Sequence, residues 1–255
     1  LRIEFIVQRK TKIAVTITST QSGDGKTFIS TNLAALYAMS GRPTVLLDMD
    51  IRKPNVHDKL GLATSNGVTN YLIGDCTLDD IILRNDAIGF DVIPAGTIPP
   101  NPGELIRSDK VTELLNILRE RYDYIVIDSS PVGLVPDALA LIEQTDITLF
   151  IIRCMETDKR FAQQTLQNLS LNHKDKINLV LSDIVAEKSS GSYGYGYGYG
   201  YGYGYGYGYG YGGSSSNKRY GKYGKYGKYA GYYRNKLSGK KVDEPHQYID
   251  DSDED

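Results

Sequence analysis

Cysteine is almost missing from this sequence: Cys76 and Cys154 are the only two in 255 residues, and neither sits in a CxxC or other metal-ligand spacing. A disulfide framework and a thiolate metal site are both excluded, and a reducing cytoplasm fits best. Long apolar runs are missing as well. No stretch approaches the roughly 20 residues needed to cross a bilayer, and the N-terminus has no signal-peptide pattern. The chain is therefore expected to be soluble and cytoplasmic. It opens on Leu1 rather than Met, so a longer parent is expected, with any membrane span in the missing part.

A strong net charge is the third absence, the formal total being −2. The balance conceals an asymmetry. Residues 1–187 hold 24 Asp and Glu against 19 Lys and Arg, Lys218–Lys241 has nine basic residues and no acid, and Val242–Asp255 has seven acids and no Lys or Arg. Separated charge blocks of this kind belong to solvated tails. With the change of composition near Glu187, the expected organisation is one folded domain, 1–187, and a tail, 188–255.

Within the first part, short β-rich runs recur: Lys12 to Thr18, Pro43 to Asp48, Asp91 to Pro94, Tyr124 to Asp128, Ile147 to Ile152 and Ile177 to Val185. Helical patterns separate most of them, among them Lys26 to Ser40, Ser108 to Arg121 and Asp158 to Leu171. Strands apolar on both faces and spaced by amphipathic helices predict an α/β fold, a mainly parallel sheet covered on both sides.

The strongest chemical signal is TQSGDGKT, Thr20 to Thr27, between the first strand and the first helix. This is where a phosphate-binding P-loop belongs. Gly23 and Gly25 allow close backbone approach, successive N–H groups and the helix dipole point at phosphate, Lys26 adds a cation, and Thr27 offers a hydroxyl to Mg²⁺. The candidate nucleotide-binding segment is Ser22, Gly23, Asp24, Gly25, Lys26, Thr27 and Phe28. Thr20 stands where the GxxxxGK[ST] pattern has its first Gly, so a chance Gly-rich turn is the bland alternative.

Two further strands end in acids: VLLDMDIRKP carries Asp48 and Asp50, and YIVIDSSP carries Asp128. Ligands of open parallel sheets sit beyond the carboxyl ends of strands, so all three acids are candidates to converge on the P-loop around one Mg²⁺. Each alone also fits a helix cap or a loop acid.

In this order, the P-loop, the DxDxR element and the DxxP element resemble the bacterial tyrosine kinases that regulate capsule and exopolysaccharide export, whose fold is similar to the partitioning-type P-loop ATPases. RKPNVHDKLGL, PPNPGELIRS and the terminal tyrosine cluster match as well, so the resemblance covers about residues 2–185 and the tail. It implies that Lys26 contacts the phosphates of ATP, that Thr27 and Asp128 hold Mg²⁺ directly or through water, that Asp50 assists the metal, and that Asp48 is the catalytic base. Lys26, Asp48 and Asp50 are then the catalytic set and Thr27, Asp50 and Asp128 the metal set. A tyrosine hydroxyl titrates at roughly pH 10, so a carboxylate within reach must take its proton. The runner-up is a partitioning-type ATPase switch without kinase activity. Gln21, where that subfamily has a second lysine, argues against it. The resemblance further implies a homo-oligomeric ring in the intact protein, a membrane-bound activator or fused membrane segment that places the domain at the inner face of the plasma membrane, and a tyrosine phosphatase as partner. The ring-forming ExxRxxR helix has only Leu1 and Arg2 as a remnant.

Seventeen of the 21 tyrosines lie in the tail, ten of them alternating with glycine. They are Tyr193, Tyr195, Tyr197, Tyr199, Tyr201, Tyr203, Tyr205, Tyr207, Tyr209, Tyr211, Tyr220, Tyr223, Tyr226, Tyr229, Tyr232, Tyr233 and Tyr248, all candidate phosphorylation acceptors. So few aliphatic residues cannot offset the entropy of ordering a backbone, and disorder is expected. A plain flexible linker is the bland reading of such a segment. Nucleic-acid binding is not expected, because the acidic end would oppose it.

Overall fold

The computed structural model describes residues 11–62, 65–84 and 88–184. The expectations for Leu1 and Arg2, for Val185 and for the tail with its tyrosines lie outside the described residues. Six strands form one parallel sheet: β1 (Ile13–Ser19), β2 (Thr44–Met49), β3 (Asp91–Ile93), β4 (Tyr124–Ser129), β5 (Ile147–Arg153) and β6 (Ile177–Ser182), in the order β3-β2-β4-β1-β5-β6. All six expected runs are strands, each shifted by no more than a few residues at its ends.

The helices are α1 (Lys26–Ala38), α2 (Val56–Leu60), α3 (Val68–Ile73), α4 (Leu78–Ile81), α5 (Pro102–Ile106), α6 (Asp109–Arg121), α7 (Asp137–Gln144) and α8 (Lys159–His173). Two expected first residues prove to be caps. Ser108 precedes α6 in extended conformation, and Asp158 precedes α8 with its carboxylate accepting the Phe161 N–H at 2.7 Å. Five short helices, α2 to α5 and α7, had no periodic signal long enough to mark them.

Both faces of the sheet are covered. Leu33, Ala34 and Tyr37 of α1 pack on Val15, Ile17, Leu46 and Val126, with Tyr37 stacked on Tyr124 at 3.7 Å between ring centroids. The opposite face buries Val45, Leu47, Ile125 and Ile127 under Val111, Leu114, Leu115 and Leu118 of α6, a spacing that puts four apolar side chains on one helical stripe. A smaller cluster joins Phe150 of β5 to Ile142 of α7 and Leu169 of α8. With β1 hydrogen-bonded on both sides and buried throughout, the loop that follows it leaves from the middle of the sheet. The loops after β2 and β4 open at the same end.

Candidate active site

The loop between β1 and α1 turns on two glycines in left-handed conformation, Gly23 at φ 91° and Gly25 at φ 93°. A Cβ at either would meet nothing within 4 Å. The backbone angle, not crowding, therefore demands glycine there. Gly25 caps α1 without a side-chain bond, and no acid lies in the first helical turn. The positive end of the helix and its free N–H groups are left to an external anion.

The loop is braced from behind. Asp24 is fully buried and accepts the Gln21 N–H at 3.1 Å and the Thr157 hydroxyl at 2.7 Å. Gln21 Nε2 donates to the Glu156 carbonyl at 3.3 Å, and Arg153 Nη1 donates to the Gly23 carbonyl at 3.3 Å. Asp24 thus serves as an internal strut, and only its backbone belongs to the anion-facing arc. Gly133 presses on the loop from the other side, where a Cβ would come within 2.3 Å of the Thr20 carbonyl oxygen. Phe28 is exposed on α1 beyond the turn.

Lys26 is only 7 % exposed. Burial pulls its ammonium below the ordinary lysine value, while Asp128, Asp50 and Asp24 pull it back up. The Asp128 carboxyl is pushed up to about 6, chiefly by burial, with the Thr27 hydroxyl and Lys26 opposing and Asp50 adding to the rise. Asp128 Oδ1 is buried and has no hydrogen-bond partner among the described residues. Buried carboxylate oxygens are rarely left so.

Asp48 and Asp128 stand opposite each other on adjacent strands. Asp48 is fully buried, with Oδ1 accepting the Asp50 N–H at 3.1 Å and Oδ2 accepting the Val56 N–H at 3.2 Å. Burial first, and the charge of Asp128 second, hold its carboxyl well above the usual carboxylate range despite those two bonds. Asp50, half-buried just after β2, accepts the Ser130 hydroxyl at 2.7 Å and the Lys53 N–H at 3.2 Å on one oxygen, Oδ1. Arg52, two residues on, pairs through Nε and Nη2 with Asp137 at the start of α7.

Lys26, Thr27, Asp50, Asp128 and Asp48 are thus brought to one end of the sheet. Among the described residues no three His, Cys, Asp or Glu side chains are close enough to hold an ion unaided. The donor set instead fits a hard cation such as Mg²⁺, which takes one or two carboxylates and completes its shell with water and phosphate oxygens. The orphaned Asp128 Oδ1 is the buried oxygen among them that such an ion would satisfy. A cavity of about 370 Å³ behind the 132–136 loop, lined by Leu134, Thr165, Asn168 and His173 among others, includes none of these five residues.

A folded-state value of about 6 for Asp128, above the ordinary 3.8, means that the group costs no stability below pH ~4 and imposes its full cost once pH has risen through about 6. The cost at neutral pH is on the order of 3 kcal/mol. Asp128→Asn is therefore expected to raise the melting temperature of the nucleotide- and metal-free chain by roughly 5–10 °C at pH 8, with the difference shrinking toward zero near pH 4. Melting curves of both chains across this range test it. A gap that is absent at pH 8, or that stays constant with pH, would contradict the assignment.

Ser130, Thr157, Arg153 and Gly133 were not singled out from the sequence. Each acts on a partner 80 or more residues away, and no local pattern marks it.

The family model described as an AAA domain matches residues 11–182. The protein named putative tyrosine-protein kinase CapB of Staphylococcus aureus is 34 % identical over 177 residues, which is 69 % of this chain and 78 % of that protein. Tyrosine-protein kinase ptk of Acinetobacter johnsonii is 34 % identical over 191 residues, covering 75 % of this chain but 26 % of its own length. Among solved structures, the kinase domain of the Escherichia coli tyrosine kinase ETK superposes with a TM-score of 0.68 over 76 % of both chains at 28 % identity. The chain thus spans about a quarter of the length of its Acinetobacter relative.

Proposed function

Because the chain belongs to the AAA-domain family and, within it, to the bacterial tyrosine kinases of capsule and exopolysaccharide systems, we propose that it transfers the γ-phosphoryl group of Mg-ATP to tyrosines, foremost those of its own residues 188–255. The observation that carries this reading is the grouping of Lys26, Thr27, Asp50 and Asp128 around one unsatisfied carboxylate oxygen at the mouth of a Gly-rich loop.

Phosphoryl transfer asks the protein mainly for position and charge. The α1 N-terminus and the loop N–H groups hold the phosphates, and Lys26 neutralises charge on the transferred group. Bound at Thr27, Asp128 and Asp50, Mg²⁺ would supply the remaining positive charge. Asp48 is the proton acceptor for the attacking tyrosine hydroxyl. Its raised affinity for protons suits that role, since a general base works best with a pKa near the working pH.

In the intact protein this domain belongs to a homo-oligomeric ring at the inner face of the plasma membrane, with a membrane-bound activator or fused membrane segment and a tyrosine phosphatase acting on the same tail. Among the described residues no helix is long and apolar enough to cross a membrane, so any span has to come from elsewhere.

Incubation with γ-labelled ATP tests the reading: labelled phosphotyrosine is expected, and phosphate release without it would leave a partitioning-type ATPase switch. When active chain is mixed with a Lys26→Met chain, label is expected on the inactive chain, because the distal tyrosines of residues 188–255 lie far enough along the chain to reach a neighbour's site. An unlabelled Lys26→Met chain would show the reaction to be intramolecular.

A further inference from the structure

The DxxP element has the sequence Asp128-Ser129-Ser130-Pro131, and the second serine has no part in the roles assigned so far. Ser130 is 2 % exposed, and its hydroxyl donates to Asp50 Oδ1 at 2.7 Å. The same oxygen takes the Lys53 N–H at 3.2 Å, leaving Oδ2 as the Asp50 oxygen without a hydrogen-bond partner among the described residues. Lys26 and Asp128 both feel the charge of Asp50, and the Ser130 bond ties that carboxylate to the loop that follows Asp128.

Ser130 is itself held in place. Its carbonyl accepts the Thr18 hydroxyl at 2.9 Å, and Thr18 Oγ1 in turn accepts the Val132 N–H at 3.1 Å. Ser129 Oγ donates to the Ile17 carbonyl at 2.8 Å. The loop after β4 is thereby fixed to the end of β1, where the Gly-rich loop begins, and through Ser130 it reaches across to the acid that follows β2. Asp50 is the only half-exposed member of the carboxylate group. It lies outside the strand and has no ladder to fix its side chain.

We propose that Ser130 is a positioning residue for the metal. By occupying Asp50 Oδ1 it fixes the carboxylate so that Oδ2 faces Lys26 and Asp128, and it thereby sets the affinity of the site for Mg²⁺ in the presence of nucleotide. This inference rests on the reading of the site as a Mg-nucleotide site. Partners that hold a ligating carboxylate in orientation commonly change metal affinity 10- to 100-fold when removed. With a serine donating to a carboxylate that has a second donor on the same oxygen, the lower end of that range is expected.

The experiment titrates Mg²⁺ into chain plus a fluorescent N-methylanthraniloyl ADP and reads the Mg²⁺ concentration for half-maximal nucleotide binding. Ser130→Ala is expected to raise that concentration about 10-fold while leaving Mg-free nucleotide binding and the melting temperature of the metal-free chain near their wild-type values. Ser130→Thr, which keeps the donor, is expected to stay within about 2-fold of wild type, and it carries the test if the alanine chain folds poorly. In an Asp50→Ala chain, adding Ser130→Ala is expected to change nothing further, because the serine acts through that carboxylate. An unchanged Mg²⁺ requirement in Ser130→Ala, a Ser130→Thr chain as weak as a disrupted site, or an equal further loss in the Asp50→Ala background would each overturn the proposal. Failure of wild-type chain to bind the nucleotide at all would instead overturn the underlying reading of the site.

Discussion

Lys26→Ala is expected to weaken Mg-nucleotide binding by roughly 10²- to 10³-fold, the scale for truncating one partner of a buried charge pair, and to slow tyrosine phosphorylation further. The ammonium is buried at a cost that its own lowered proton affinity records, and it is compensated by three acids, Asp128, Asp50 and Asp24. Such a group is placed for an anion that arrives, not for the resting fold. Alanine at the first residue of α1 has the best helix propensity of any residue, so the helix itself is not weakened by the change. The check is a pair of measurements, a nucleotide titration and a melting curve. Undiminished affinity in a folded Lys26→Ala chain would remove the basis for the loop as a phosphate site.

The second large effect separates chemistry from binding. Asp48→Asn removes the proton acceptor while leaving Lys26, Thr27 and Asp128 in place, so phosphorylation is expected to fall by about 10²- to 10⁴-fold with nucleotide still bound. Because Asp48 holds its proton more tightly than an ordinary carboxylate, only its deprotonated fraction serves as base, and the wild-type rate is expected to rise with pH through the titration of this group. The Asn chain is expected to lose that acid limb. Each Asp48 oxygen accepts a backbone N–H, and an amide has just one acceptor for the two donors. A modest fall in stability of about 1–3 kcal/mol therefore accompanies the substitution, and melting has to be followed beside activity. A wild-type rate in the Asp48→Asn chain would exclude Asp48 as the base.

The strands were legible because each is a short apolar run bounded by turn residues, and burial on both faces follows from the same pattern. The Gly-rich loop was legible because its chemistry is local: two glycines, a lysine and a threonine within five residues, between a strand and a helix. Asp48, Asp50 and Asp128 were legible as a group from their positions at strand ends. Their differences were not. Asp48 is locked by the Val56 and Asp50 N–H groups, Asp50 is tied to Ser130, and Asp128 keeps one oxygen unsatisfied, distinctions made by residues distant in sequence or by loop conformation. Asp24 shows the same limit, since motif position marks it as part of the phosphate loop while the hydroxyl of Thr157, 133 residues away, turns its side chain inward. Short helices such as Val68–Ile73 and Leu78–Ile81 span less than two turns and leave no period to detect.

The order of strands has a consequence for how the protein comes to be made. The first strand, Ile13–Ser19, has as its neighbours among the described residues strands that begin at Tyr124 and Ile147. During synthesis the Gly-rich loop therefore emerges long before either edge of its strand has a partner. Until Tyr124–Ser129 has been made, that strand is a bare apolar segment with both hydrogen-bonding edges open. Pairings of such long sequence separation form slowly and leave a chain exposed to aggregation meanwhile. The proposed nucleotide site is thus complete only once Tyr124–Ser129 inserts between the first two strands and sets Asp128 opposite Asp48. Fragments ending before Tyr124 contain the whole phosphate-loop motif and lack both strands that flank Ile13–Ser19 in the sheet.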